Sequence, residues 1–570
     1  MRCKKAARLF AFAAGAGLIL AGTAAAVENV REDARTVSTA DVQDQPLHTA
    51  LQAWFRGDDA SADAVAEAMT AGNSSNPIPW QLKAWMLFER YTSPENLQKA
   101  LSFQAAALRL SQAAPEAYSA LLPLCRSAVQ AGLPRAQFFL GRMYELALGV
   151  LQDYGEALRL YKLAADQGYA LALTNLAALC KQGQGCARDE TAAMKYYLKA
   201  LELAPDNPVF IYNVALMYFE GRGAPKNPRK ALEMFKEAAW AGLPDAYGSL
   251  GYLYLMGEGV KADAAEALRW LKKGVELGSS LAQNTLGAMY SNGDGVEKDE
   301  KEAVRLYKLA AESGLFLAQN NLADAYFRGL GVEEDQAEAL RWYRLAAEQG
   351  DGNAQNSLGL QYLHGRGTAQ DFAEALKWFR LAAESGSADA LQNIAHIYFN
   401  GWGVKKDASQ AARWVRRAAQ QGLAEAQYNL GCLYNEGVGI RKDEKQAFYW
   451  FSKAAEQGYA AAQNNLGQAY RNGSGVPVDE GQAYKWYAVA AEHGDPLGLF
   501  NLGLCFKEGF GTPQDLREAY VCFALADMRA VKEAAQQMKE IEAAGFAADK
   551  AESDRILAEA RARVKKLSEE

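Results

Sequence analysis

An all-α fold, a right-handed α-solenoid of stacked antiparallel helical hairpins, follows from three features of this 570-residue chain. Gly-x-Gly pairs recur every 36 residues from Gly221/Gly223 to Gly509/Gly511. Between them, Asp followed three residues later by Glu or Gln recurs at Asp153, Asp263, Asp299, Asp335, Asp371, Asp407, Asp443, Asp479 and Asp515. Glycine is abundant, 50 residues or about 8.8% against about 7% on average, while the 15 prolines make about 2.6% against about 5%. That imbalance excludes Pro-rich linkers and places glycine inside a regular element. Length alone predicts about four domains of about 150 residues; a short fixed period predicts one repeated unit instead.

In chain order, Arg2, Lys4, Lys5 and Arg8 precede an apolar run, Leu9 to Ala21, and small residues up to Ala26. This is the pattern of a secretory signal peptide over 1–26, and the run is shorter than the ~20 residues that span a bilayer. The chain is therefore expected to be exported, with the periplasm as its compartment and the extracellular space as the alternative. Residues 27–46 are polar and read as a flexible leader. Residues 47–135 are helical in pattern but off the 36-residue register, a cap with Trp54, Trp80 and Trp85 as core.

Eleven repeats fill 136–533, starting at Ala136, Ala172, Phe210, Ala246, Ala282, Ala318, Ala354, Ala390, Ala426, Ala462 and Gly498. In the fifth, Ala282, Leu286 and Tyr290 share one face of a first helix, which stops at Gly293-Asp294-Gly295 because glycine adopts the left-handed backbone of a helix exit. Asp299 opens the second helix as its N-cap, and Glu302 is expected to reach back to the Asp299 N–H as in a capping box. Ala303, Tyr307, Ala310 and Ala311 form the buried stripe. Such a hairpin closes no core alone and must stack on its neighbours. Charged helices over 534–570, with an apolar stripe at Leu557, Ala560, Val564 and Leu567, read as the C-terminal cap.

The run Ala426-Gln427-Tyr428-Asn429-Leu430-Gly431, with Tyr434, Gly437-Val438-Gly439, Asp443, Ala447, Trp450-Phe451 and Ala454-Ala455-Glu456-Gln457-Gly458, resembles the Sel1-like repeat family, relatives of the tetratricopeptide repeat. The resemblance covers 136–533 and makes 47–135 degenerate tetratricopeptide-like hairpins. It implies a bacterial exported member and a non-enzymatic adaptor of the cell envelope that holds a protein or peptide partner, without naming that partner. Some Cys-rich members are linked to penicillin-directed chemistry, so a cell-wall or penicillin-directed hydrolase is the alternative of another class. A secreted host-contact protein is the third.

The residues themselves offer no catalytic constellation. Gly-Lys, His-Glu-x-x-His, Gly-x-Ser-x-Gly and Ser-x-x-Lys are all absent, so no phosphate loop, zinc protease helix, nucleophile elbow or acylating pair is expected. Neither cofactor nor metal is expected, His364 and His396 reading as solvated. A net charge of -7 with pI near 5.5 removes the electrostatic warrant for nucleic acid. Trp270, Trp342, Trp378, Trp414, Trp450 and Trp486 share one second-helix position and read as packing between repeats. Asn175, Asn213, Asn321, Asn393, Asn429, Asn465 and Asn501 read as a polar ladder to loop or neighbouring backbone. The third, seventh, tenth and eleventh positions of each first helix vary and are expected to line the concave face, where Tyr212, Phe219, Tyr252, Phe327, Phe399, Tyr428 and Phe500 are the candidate binding residues. Cys180 with Cys186, and Cys505 with Cys522, are candidate disulfides in an oxidising compartment.

Overall fold

The structure, a computed structural model, describes residues 45–71, 76–89, 93–113, 116–543 and Arg555. The signal peptide, nearly all of the leader, and the stripe Leu557, Ala560, Val564 and Leu567 lie outside the described residues. What is described is helical, with no strand among the described residues. It forms two compact units, one up to Asp351 and one from Gly352, each a stack of antiparallel helical hairpins.

The ninth repeat shows how a hairpin is made. Its first helix, Ala424–Glu436, ends on Gly437, whose φ of +75° turns the chain and lets its N–H donate to the Leu433 carbonyl. Its second helix, Glu444–Glu456, starts at Asp443, whose side chain accepts from the N–H groups of Lys445 and Gln446. The other half of the expected capping box does not form. The Asp443 N–H donates instead to the Tyr434 carbonyl at 2.9 Å, and the same bond to the residue nine positions earlier recurs from Asp153 and Tyr144 to Asp515 and Phe506. The turn is thus closed by the first helix. The glutamate is left to pair along its own helix, as in Glu302 with Arg305 and Glu374 with Lys377, pairs worth a few tenths of a kcal/mol.

Two glycine positions set the distances between helices. A Cβ on Gly439, φ +68°, would overlap the carbonyl oxygen of Ala408, which opens the second helix of the preceding repeat; Gly331, Gly475 and Gly511 meet Glu300, Glu444 and Glu480 in the same way. At these positions the second glycine of the pair is where one repeat's turn rests on the backbone of the repeat before; Gly295 and Gly403 rest instead on the Cβ atoms of Ala264 and Phe372. Inside the first helices, a Cβ on Gly287, Gly359, Gly431, Gly467 or Gly503 would lie 2.6–2.8 Å from the ring of Tyr307, Phe379, Phe451, Tyr487 or Phe523. Here the hairpin packs helix backbone directly against an aromatic face.

Side-chain amides sew the stack together. Gln427 Nε2 donates to the Ala419 carbonyl of the repeat before at 3.2 Å, while its Oε1 accepts from Gln457 Nε2 at 2.7 Å. One glutamine thus ties three helices. Gln319 does the same with Ala311 and Gln349, and Gln463 with Ala455 and the His493 ring. In the tryptophan series Trp342 is buried and the other five are half-buried.

The region before the repeats does more than close an end. Pro77–Glu89 and Pro94–Ala113 lie against the loops that join successive repeats: Asn207 Nδ2 donates to the Phe88 carbonyl at 2.9 Å, and Gln98 Nε2 to the Gly242 carbonyl at 3.0 Å. Tyr169 donates to Glu89, and Arg135 bridges Glu89 at 2.6 Å and Asp59. This explains the single 38-residue step in the period, because the longer turn presents Asn207 to Phe88 while its Oδ1 caps the helix Pro208–Glu220. Trp54 and Trp85 stack at 5.6 Å in this region's core, and Trp80 stays half-exposed.

Candidate binding niche

A half-open cavity of about 330 Å³ lies in the N-terminal unit between the second helix of the fifth repeat, Glu300–Glu312, and the first helix of the sixth, Phe316–Arg328. Ser291, Asn292, Glu300, Ala303, Val304, Tyr307, Asn321, Asp324, Ala325, Arg328 and Leu330 line it, with Tyr252, Leu255 and Met256 along one side. A second cavity, about 210 Å³, lies in the C-terminal unit and is lined by Asn435, Glu444, Ala447, Phe448, Phe451, Asn465, Gln468, Ala469, Asn472 and Ser474. Each of these ten residues sits 144 positions, four periods, after a residue of the first cavity. The niche is therefore a property of the repeat. Its size and chemistry change with the variable positions: Val304 gives way to Phe448, Asp324 to Gln468 and Arg328 to Asn472.

The floor of the niche is set by the aromatic of the second helix. Tyr307 is buried with its hydroxyl bonded to Ser291, and burial raises its pKa above the tyrosine range. One repeat on, the Tyr343 hydroxyl donates to Asp324. In the first repeat Tyr161 donates to Glu145 and receives a bond from Asn175. Burial, then the Glu145 charge, holds Tyr161 protonated. Where the floor residue is Phe379, Phe451 or Phe523, no such hydroxyl exists. The niche thus alternates between a polar and an apolar base according to one residue per repeat.

The expected concave-face aromatics divide. Tyr212, Phe219 and Tyr252 are not on an open surface, being 2%, 5% and 5% exposed. Tyr212 packs on Phe235 at 5.3 Å and shares a hydrogen bond with Ser249 of the next repeat at 3.1 Å; Phe219 meets Tyr252 edge-on at 6.2 Å. Of the seven, only Tyr252 touches the first cavity. Phe327, Tyr428 and Phe500 are half-buried, the last two against Phe451 and Phe523, and Phe399 is exposed.

The third helix position is consumed by stacking. Asn321 donates to Asn284, Asn393 to Asn356 and Asn501 to Asn464 at 2.8–2.9 Å, each pair joining this position to the next repeat's fourth, as Tyr212 joins Ser249. The expected asparagine ladder therefore forms at Asn321, Asn393 and Asn501, and Asn175 bonds to the Tyr161 hydroxyl; the partners are side chains and not the backbone groups expected. The seventh, tenth and eleventh positions do line the cavities, through Tyr252, Ala288, Asp324, Ser291, Asn435, Asn292, Arg328 and Asn472. Asn, Asp and Arg at these positions, more than the aromatics, supply the lining, and nothing in the repeat pattern marks them apart from other exposed polar residues.

All six described cysteines are free, so neither expected disulfide is present among the described residues. Cys180 and Cys186 are in contact across their turn, and burial, then Cys186, pushes the Cys180 thiol up to about 12. Cys505 and Cys522 are both buried in their hairpin, and burial raises Cys505 to about 11. His364 and His396 are exposed, and no metal-binding cluster occurs among the described residues. No described helix is long and apolar enough to cross a membrane.

Stacked hairpins with a recurrent lined niche define a repeat protein built to present surface, and the comparisons agree on its kind. The Sel1 repeat family matches in eleven consecutive segments from 134–169 to 496–526. The chain belongs to that family, whose solenoids are generally non-enzymatic protein–protein interaction scaffolds. It is similar to the crystal structure of c5321 from Escherichia coli, described as a protective antigen of uropathogenic strains with an SLR fold: 33% identity over 78% of this chain and 97% of that one, TM-score 0.50. A Sel1 repeat protein from Oxalobacter formigenes is 38% identical over 43% of this chain and 99% of its own, TM-score 0.40. Chitin synthase regulatory factor 3 of Schizosaccharomyces pombe is 32% identical over 96 residues, 17% of this chain, which spans 10% of that relative.

Proposed function

We propose that this chain is an exported adaptor of the bacterial cell envelope that binds an extended segment of a partner protein along its repeat niches. The carrying observation is the same ten-residue niche recurring four periods apart, with four positions unchanged (Glu300/Glu444, Ala303/Ala447, Asn321/Asn465 and Ala325/Ala469) and the other six different. A frame of unchanged positions is what stacking requires; variable linings are what selects a ligand. An extended segment rises about 3.3 Å per residue and helical layers are about 9–10 Å apart, so about three residues of ligand match one helix layer. Ala288→Arg places a long cation in the larger cavity without altering any stacking bond described above. Capture from envelope extract should retain a partner with the unaltered chain and lose it with Ala288→Arg. Equal retention would remove the niche from the reading.

The N-terminal signal pattern supports export, and fractionation with an antibody to the chain tests it. A place outside the cell, in contact with a host, is the second reading, favoured by the similar E. coli protein described as a protective antigen. Protection of the chain from external protease in intact cells would support the periplasm over that reading.

A further inference from the structure

The turns between first and second helices carry, just before the capping Asp, two residues that differ from repeat to repeat: Glu297-Lys298, Glu333-Glu334, Ala369-Gln370, Pro477-Val478. Only in the eighth and ninth repeats are both basic, Lys405-Lys406 and Arg441-Lys442, in a chain of net charge -7. All four are exposed. Elsewhere the lone cations of these turns are mostly engaged, Arg188 with Glu190, Lys226 with Glu258 and Lys298 with Glu300. Here Lys442 meets Glu444 at 3.0 Å, but Lys405, Lys406 and Arg441 have no carboxylate within 4 Å among the described residues. Beside them stand two open aromatics. Trp402, 37% exposed, fills the middle of the Gly401/Gly403 turn and stacks on Phe372 with centroids 6.2 Å apart, and Phe399, 40% exposed, lies under Lys406 at 5.6 Å. Uncompensated cations around exposed Trp and Phe have the composition of a binding hot spot and leave a positive potential that an acidic ligand would cancel.

We infer that this turn edge of the eighth and ninth repeats is a docking surface for an acidic, extended segment of a protein partner that carries one aromatic or aliphatic anchor. The surface lies outside the niche linings, touching the second only through the Lys442–Glu444 ion pair, and the assignment holds whether or not the niches bind. Lys405-Lys406 and Arg441-Lys442 are equivalent sites one repeat apart. At about 9–10 Å per helix layer and about 3.3 Å per extended residue, carboxylates about three residues apart meet the two pairs, with the anchor before the first of them on Trp402, which leans toward Phe372 of the seventh repeat. Three or four cations on an acidic chain are too few to hold a nucleic-acid backbone at physiological salt.

The probe is a fluorescein-labelled peptide, Gly-Phe-Asp-Glu-Gly-Asp-Glu-Gly, titrated with the full chain and read by anisotropy. Binding should weaken steeply between 50 and 300 mM salt, the range over which exposed charges are screened. It should fall at least tenfold in K405E/K406E/R441E, fall in Trp402→Ala with the salt dependence kept, and stay unchanged in K485E and Ala288→Arg. The triple variant changes only exposed side chains, and an unaltered thermal melt confirms that it folds. Affinity within twofold of the unaltered chain in the triple variant, or no binding of the peptide at all, overturns the assignment. So does binding to vesicles of anionic phospholipid that is lost in the triple variant while the peptide fails to bind, which would make the surface a membrane contact.

Discussion

Substituting Gly439 and Gly458 by Ala separates the two reasons why this fold spends so much glycine. Both have positive φ, +68° and +83°, so each alanine incurs about 1–2 kcal/mol of left-handed backbone strain, offset by about 0.4–1 kcal/mol from a stiffer unfolded chain. They differ in space. The Gly458 Cβ would meet nothing within 4 Å, whereas that of Gly439 overlaps the Ala408 carbonyl of the preceding repeat. Overlap of backbone on backbone adds about 1–3 kcal/mol, as overpacking does. Gly458→Ala should therefore cost about 1 kcal/mol and Gly439→Ala about 3 kcal/mol. At about 2–4 °C per kcal/mol for a unit of this size, calorimetry should show a drop of about 3 °C for the first and about 9 °C for the second. Amide exchange in Gly439→Ala should also accelerate in the helix Ala408–Gln420 of the repeat before, across the contact. Equal shifts for the two variants would show that the second glycine of each pair serves its own turn only, and that repeat spacing is fixed elsewhere.

Arg135→Met leaves Asp59 and Glu89 buried without their cation, a loss of about 3–5 kcal/mol for a broken buried pair; limited proteolysis should then cut within 45–113 while the later repeats resist. Burial, acting against Arg135 and Tyr169, holds the Glu89 carboxyl above its usual range. The folded chain therefore binds that proton more tightly than the unfolded chain does, and this group's contribution is lost as pH rises from the ordinary carboxylate value through the raised one. Glu89→Gln should flatten that part of the pH–stability curve. Asp443→Ala removes an N-cap at a cost of about 1 kcal/mol, and Asp443→Asn should recover most of it in the same denaturation series. Iodoacetamide at neutral pH without reductant should modify the half-exposed Cys186 and Cys432 before Cys125, Cys180, Cys505 and Cys522, whose thiols are buried. Mass shifts that stay absent for Cys180 and Cys186 even in denaturant, and appear after reduction, would establish the disulfide that the structure does not contain.

What was legible in the sequence was everything local to one hairpin. The first glycine of each pair and the Asp before each second helix mark helix ends because their conformational and hydrogen-bonding demands are met within a few residues. Asp443 behaves as expected for that reason, and Glu302 does not, because the N–H it was to receive is taken by a carbonyl nine residues back on another helix. Contacts between repeats were less legible, since they depend on the rotation from one hairpin to the next. Tyr212 reads as a surface aromatic by its helix position, and only the stack shows that this position faces the next repeat's fourth residue. The same rotation turned the asparagine ladder from a backbone contact into a side-chain one. The variable positions did lead to the niche, through Asp324, Arg328 and Ser291 more than through the aromatics. The bracing of repeat loops by Pro77–Glu89 and Pro94–Ala113 carried no sequence signal beyond the two extra residues before Asn207.

Site-specific photocrosslinking tests the adaptor reading most directly. A benzophenone amino acid would be placed in turn at Ser291 in the first niche, at Asn435 in the second, and at Leu309 on the exposed face of a second helix, and the cells irradiated intact. A discrete higher-mass adduct containing the same partner protein from Ser291 and Asn435, and none from Leu309, is the predicted result. Adducts that form from Leu309 alone, or from all three positions alike, would contradict the assignment of binding to the repeat niches.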